Sequence, residues 1–249
     1  MSGDEPVVVV RGDDADASAV AESVTAAGGV VVDGSDGGTP AADASDADAV
    51  LAVGEPSLFA FADEVPPAPI LPVACGVGRS LSRADVAAAV RALRTGATRT
   101  VEHPLLTVTV DGALVGSALA DVTLMTDEPA RISEYAVSTP AEHVGTFRAD
   151  GVVVATPLGS TGYAHAAGGP ILAPGTGVVA VPIAPYTTLT ESWVRQLPVT
   201  LSVERDETDV SLILDDEAVA DVPPHAAVEL AADGTRPFLR LTERATDAA

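Results

Sequence analysis

The sequence predicts an N-terminal Rossmann-like α/β domain followed by a C-terminal, all-β, β-sandwich-like domain, and three observations carry this. Over the first hundred residues, short apolar runs alternate with alanine-rich stretches at helical spacing, the pattern of strands and helices layered on a mostly parallel sheet. From about Thr100 the helical spacing gives way to many short alternating runs punctuated by glycine and proline, the pattern of a sandwich. At 249 residues the chain can bury two cores, and its single cysteine, Cys75, allows no internal disulfide to reinforce either. The predicted domains are therefore 1–100 and 101–249, with the tail from about residue 237 expected to return to the first.

Taken in order, Val7-Val8-Val9-Val10 reads as a buried strand. Asp13 to Gly28 carries Ala15, Ala19, Val20 and Val24 near helical spacing and stops at Gly28-Gly29, and Val30 to Val32 is the next strand. Asp33 to Gly38 is a loop, and Asp36-Gly37-Gly38-Thr39 within it reads as a surface turn. Ala49 to Val53, ending at Gly54, and Ile70 to Ala74 are buried strands joined through the stiff Val65-Pro66-Pro67-Ala68-Pro69 connection. Ser82 is placed to cap a helix over Arg83 to Thr95, which has Val86, Val90 and Leu93 on one face and Gly96 at its end. The second half offers strands at Leu105–Val110, Leu114–Leu119, Val122–Met125, Val152–Ala155, Val178–Ile183, Val199–Glu204, Val210–Leu214 and Ala227–Leu230.

Composition excludes several functions. Thirteen basic residues against 36 acidic ones leave a formal charge of −23, which opposes any partner bound through phosphates along a nucleic-acid backbone. The chain contains neither lysine nor asparagine, so a P-loop lysine, a Schiff-base lysine and an Asn-linked glycan are all ruled out. The four histidines and one cysteine have no zinc-ligand spacing. Apolar runs fall far short of the roughly 20 residues that span a bilayer, and the acidic start Met1-Ser2-Gly3-Asp4-Glu5 does not resemble a secretory signal, so a cytoplasmic protein without membrane contact is expected. An Ala/Val-rich interior under a lysine-free acidic surface is the composition of a halophilic, archaeal-type protein, whose self-repulsion is screened in molar salt where the Debye length is about 3 Å.

One stretch carries chemical information. Asp150-Gly151-Val152-Val153-Val154-Ala155-Thr156-Pro157-Leu158-Gly159-Ser160-Thr161-Gly162-Tyr163 runs from a strand into a turn dense in glycine and hydroxyls, then a tyrosine, then Gly168-Gly169-Pro170. Glycines let a ligand approach the backbone, hydroxyls and free NH groups hydrogen-bond it, and the ring offers a stacking face, a combination suited to a nucleoside. The same residues also fit a tight inter-strand loop with Tyr163 in the core. His165 reads as structural, Cys75 as a small apolar filler, and Asp215-Asp216 as a hairpin turn rather than an acid/base pair, since neighbours in a strand face opposite ways. Glu55, a carboxylate directly after a buried strand, lies where α/β sheets bind ligands.

The order of residues around Tyr163 resembles the long signature of the NAD kinase family. Ala49-Val50-Leu51-Ala52-Val53-Gly54-Glu55-Pro56-Ser57 looks like that family's strand and Gly-Gly-Asp-Gly-Thr loop, Leu119-Ala120-Asp121 like its Leu-Asn-Glu segment, and Leu214-Asp215-Asp216-Glu217 like its Asp-Gly-Gln turn. The resemblance implies transfer of the γ-phosphoryl group of ATP or polyphosphate, with Mg²⁺, to the 2′-hydroxyl of NAD(H), in a homo-oligomer. It would give Glu55 the catalytic role and make Gly54 and Ser57 part of the phosphate-donor loop. Tyr163, Thr161 and Gly162 would line the adenine pocket, Asp150 would face the nicotinamide half across a subunit contact, and Asp121, Thr156 and Ser160 would complete the NAD site.

The departures bear on catalysis. Val53, Glu55, Pro56 and Ser57 replace glycine, aspartate, glycine and threonine; Ala120-Asp121 replaces Asn-Glu; Leu158 stands in place of a hydroxyl and Asp216 in place of a glycine. Pro56 removes one NH donor and fixes φ near −65°. Two readings besides the kinase therefore stand: a catalytically impaired NAD(P)-binding homologue that senses or regulates, and a phosphotransferase with a changed acceptor.

Overall fold

In a computed structural model of the chain, which describes residues 5–33, 46–128, 131–187, 191–205 and 208–242, the apolar runs of the first hundred residues become parallel strands. β1 (Val7–Arg11), β2 (Val30–Asp33), β3 (Ala49–Val53) and β4 (Ile70–Val73) lie in the order β2-β1-β3-β4, all parallel. Helix α1 (Asp14–Ala26) follows β1, α2 (Glu55–Phe59) follows β3, and α3 (Val86–Thr95) precedes the second half. Val20 and Val24 of α1 and Val86, Ala89 and Val90 of α3 bury with Val8, Leu51, Leu71 and Val73 in one core cluster. The predicted N-terminus of α3 needs a correction. Arg83–Asp85 form a 3-10 turn, and the Ser82 hydroxyl bonds the Asp85 carboxylate at 2.6 Å instead of capping a backbone NH. Gly96, at φ 66°, ends the helix in the left-handed conformation that glycine adopts without strain.

The chain divides into one unit of residues 1–102 with 236–249 and a second of residues 103–235. The second unit draws on β5 (Thr98–Val110), β6 (Ala113–Ala118), β7 (Asp121–Thr126), β8 (Ser133–Ser138), β9 (His143–Ala149), β10 (Gly151–Ala155), β11 (Val178–Ile183), β12 (Trp193–Arg195), β13 (Val199–Arg205), β14 (Val210–Leu214), β15 (Glu217–Asp221) and β16 (Val228–Leu241). One sheet of this unit has the order β12-β11-β10-β7-β14-β15 and is antiparallel throughout. The other runs β16-β13-β8-β9, also antiparallel. Alternate residues of both sheets, among them Val122, Leu124, Val152, Val154, Val137, Leu201 and Val203, share one core, the layering of a sandwich. The last strand, β16, continues into the first unit, where Phe238 pairs with Ile70 of β4.

β10 and β11 explain the unbroken apolar runs of the sequence. Val152 and Val154 face the sandwich core, while Val153, Ala155, Val179 and Val181 face a second cluster completed by Ala164 and Leu172. A strand covered on both faces carries apolar residues at every position. The segment 156–172 that supplies this cover is the motif stretch itself. Four strands, β8, β9, β12 and β15, were not anticipated from sequence, and the Asp36-Gly37-Gly38-Thr39 turn lies outside the described residues. Among the described residues no helix is long and apolar enough to cross a membrane.

Candidate functional site

In the first unit, the candidate residues sit at the carboxyl end of β3. Gly54 (φ 83°, ψ 156°) turns the chain there, in a conformation closed to L side chains, and α2 begins at Glu55. Pro56 lies in the first turn of α2, where a backbone NH has no intrahelical partner in any case, so its missing donor does not disturb the helix. Leu58 is buried and anchors α2. The Glu55 side chain, 45% exposed, pairs with the guanidinium of Arg79, which is almost wholly buried. Arg79 is fixed in turn by an Nε–H bond to the Cys75 carbonyl and by the Phe59 ring, 5.4 Å below the guanidinium carbon. Gly76 (φ 94°) makes room for the pair, since a β-carbon there would lie 3.1 Å from both Arg79 Nε and Glu55 Oε1. The Cys75 thiol, its pKa pushed up to about 11 chiefly by burial, is a filler. Sequence reasoning missed Arg79; its signal was an arginine in the glycine-rich turn that follows a parallel strand.

In the second unit, the motif stretch separates into residues that shape the loop and residues that face outward. Thr156 is fully buried: its hydroxyl donates to the Leu119 carbonyl at 2.7 Å and accepts the Leu158 NH at 3.2 Å. Ser160 is likewise buried, donating to the Pro157 carbonyl at 2.9 Å and accepting the Leu172 NH at 3.0 Å. Both hydroxyls, assigned by resemblance to the NAD site, are thus spent inside the loop. Thr161 differs, because its Oγ1 is buried without a hydrogen-bond partner. Tyr163 opens the short helix α4 (Tyr163–Ala166) and is 44% exposed, so it is not the core residue that a bland loop would require. His165 bonds the Gly169 carbonyl across the same turn at 3.1 Å.

Asp150 and Asp121 converge electrostatically on Tyr163. Burial first, then the charge of Asp150, then that of Asp121, raise the pKa of its phenol. Asp150 precedes Gly151, where a β-carbon would come within 2.5 Å of the Leu124 carbonyl oxygen, so the turn into β10 requires glycine. Asp121 opens β7 opposite Ala155 and is 7% exposed. Just before it, the backbone of Ala120 packs against Gly159, whose β-carbon would fall 2.2 Å from the Ala120 oxygen. Asp215, in the β14–β15 hairpin as predicted, is more than a turn residue. Its carboxylate accepts the NH groups of Leu119, Ala120 and Asp121 at 2.9, 2.7 and 3.1 Å. Burial outweighs those three bonds and raises its pKa to about 6, with Asp216 adding repulsion.

Residues 119–237 match the family model of the ATP-NAD kinase C-terminal domain. Through this half, the chain is similar to the NAD kinase family. An NAD kinase of Methanoculleus marisnigri is 37% identical over 131 residues, 49% of this chain and 46% of that protein. One from Methanopyrus kandleri is 33% identical over 156 residues, 62% and 53% of the two chains. The chain thus spans about half the length of the curated NAD kinases it matches. Two solved structures share the fold. Yeast NADH kinase complexed with NADH has a TM-score of 0.73 at 15% identity and covers 98% of this chain and 86% of its own. An NAD kinase from Archaeoglobus fulgidus in complex with ATP has a TM-score of 0.68 at 20% identity, covering 98% and 96%. The NAD kinase match begins at Leu119, so Tyr163, Asp150, Asp121 and Asp215 all fall inside it, whereas Gly54, Glu55 and Ser57 lie outside.

Proposed function

We propose that this protein is an NAD kinase, transferring the γ-phosphoryl group of ATP or polyphosphate to the 2′-hydroxyl of NAD(H). The observation that carries the reading is the half-exposed Tyr163 ring with the Asp121 and Asp150 carboxylates near it and the unpartnered Thr161 hydroxyl beside it in sequence, all inside the matched domain. A flat apolar face with acceptors and a hydroxyl is what an adenosine needs: the ring stacks on the base and the carboxylates accept from sugar hydroxyls. In the first unit, Glu55 takes the place of the orienting aspartate, and its carboxylate accepts the proton of the attacking hydroxyl. The 2′-oxygen forms its bond to the γ-phosphorus as the bond to the bridging oxygen breaks, and ADP departs with the electron pair.

Mg²⁺ would enter on the phosphates of the donor. Among the described residues no group of three or more His, Cys, Asp or Glu side chains could hold a metal, whereas Mg²⁺ commonly takes one or two carboxylates plus substrate phosphates. With Glu55 Oε1 held by Arg79 and its second oxygen left for the attacking hydroxyl, the ion would rest on the donor phosphates. Bound there, the ion would neutralise charge on the transferred group. A cytoplasmic, salt-adapted homo-oligomer completes the proposal.

The specific rival is a homologue that binds NAD(P) without turning it over, favoured by Val53, Glu55 and Pro56 in the donor loop. The test is NADP formation from NAD and ATP or polyphosphate with Mg²⁺ in molar KCl. We expect weak turnover in the parent, none in Glu55→Gln, and an increase in Val53→Gly/Glu55→Asp/Pro56→Gly. NAD binding without NADP establishes the rival, and no dinucleotide binding removes both.

A further inference from the structure

We propose that Asp215 is a positioning residue whose carboxylate clamps the peptide Leu119-Ala120-Asp121 and thereby fixes the Asp121 side chain toward the dinucleotide. The inference rests on the reading above for the ligand, while the clamp itself stands on geometry within the second unit. Every backbone hydrogen-bonding group of the tripeptide has a partner. The three NH groups go to Asp215, Leu119 to Oδ2 and both Ala120 and Asp121 to Oδ1. The carbonyl of Leu119 accepts the Thr156 hydroxyl at 2.7 Å, that of Ala120 accepts the Thr156 NH at 2.8 Å, and that of Asp121 accepts the Asp215 NH at 2.9 Å. Each of these backbone groups is already engaged within the protein, and the Ala120 side chain offers only a methyl group. The chemistry of the segment therefore resides in the Asp121 side chain, and its placement in the groups that pin the backbone.

Asp215 adopts φ 55°, a left-handed conformation that aspartate tolerates better than most residues, and so can close the hairpin and reach across to the tripeptide. Three successive NH groups converging on one carboxylate form an anion nest filled by a side chain of the protein itself. The nest spreads the charge of Asp215 into the backbone and lets two acidic residues stand close together. A hairpin turn alone needs none of this, because a glycine would close it.

The experiment uses the full chain in molar KCl, measuring NAD affinity by calorimetry and amide exchange by residue. In Asp215→Ala we expect exchange at Leu119, Ala120 and Asp121 to accelerate by about tenfold more than along β10, as the loss of a buried acceptor implies. The NAD Kd should rise by about tenfold, with no further rise when Asp121→Ala is added. Should the alanine variant not fold, Asp215→Asn carries the test: its remaining oxygen can still accept from Ala120 and Asp121, so only Leu119 should exchange faster and the Kd should rise less. Unchanged exchange at 119–121 overturns the clamp. Faster exchange with an unchanged Kd, and an undiminished effect of Asp121→Ala, overturns the positioning role. A parent that binds no NAD refutes the proposed function, and the exchange pattern alone then decides the clamp.

Discussion

Tyr163 and Asp215 show how differently two residues of one motif set can be read. The ring of Tyr163 is half exposed beside two carboxylates, so its substitution tests the pocket directly. Tyr163→Ala should weaken NAD binding by about 1–3 kcal/mol, the range for bases stacked on aromatic side chains, while Tyr163→Phe restores most of it and both keep the parent melting temperature. An alanine variant that binds NAD as the parent does removes the stacking role. Asp215 makes a pH-dependent contribution whose sign is fixed by its raised pKa. Folded, it titrates at about 6 against 3.8 for an unperturbed aspartate, so the folded state takes up the proton more readily and the associated stabilisation is full below pH 3.8 and lost as pH rises through 6. The stability of the parent relative to Asp215→Asn should therefore fall between pH 4 and pH 7, as denaturant melts of the two proteins will show. A difference that stays flat or grows across that window contradicts the raised value.

At the scale of elements, the loop that follows β10 is built by contact rather than by propensity. The 3-10 turn Gly159–Thr161 lies against the Ala120 backbone so closely that any β-carbon at 159 must displace one of the two segments. Gly159→Ala is expected to cost about 1–3 kcal/mol as an overpacked site and to weaken NAD binding with it, readable from thermal melts and calorimetry on one sample. Gly168→Ala is a useful contrast, since no atom lies within 4 Å of its would-be β-carbon and only its φ of 96° opposes the change. In the first unit, α2 shows the opposite relation between sequence and structure. Pro56 reads as damage to a phosphate loop, yet it is at home in the first turn of a helix, and the Glu55–Arg79 pair could not be foreseen across 24 residues. Strands β8 and β9 escaped notice because Ser133-Glu134-Tyr135-Ala136-Val137-Ser138 and its partner mix polar and apolar residues too irregularly for a period of two to stand out.

For the whole molecule, charge is the governing quantity. A formal charge of −23 is unfavourable to any compact state, and arginines such as Arg11, Arg79 and Arg83 are already engaged with Glu64, Glu55 and Asp16. Screening is then left to the solvent: the Debye length shrinks from about 30 Å at 0.01 M salt to about 3 Å at 1 M. The melting temperature should rise steeply with KCl from dilute buffer to molar concentration, and any oligomer seen in molar KCl should dissociate on dilution of the salt. Equal melting temperatures at the two extremes would remove the argument for salt adaptation.

Sequence by itself determined the fold class, most of the strands and the stretch around Tyr163, because those depend on the local period of apolar residues and on glycines whose spacing survives without their context. Val152 to Ala155 is apolar at every position for a reason already present in the chain, the cover on both faces supplied by residues that follow it. Tertiary structure alone decided which hydroxyls are spent within the loop and which are left without a partner. Thr156, Ser160 and Thr161 are alike as letters, but two hydroxyls are consumed within the loop and one is not. Asp215 and Arg79 act on residues 94 and 24 positions away. A hydrogen bond is set by distance and direction in space, and no pattern in the order of residues encodes those across such separations.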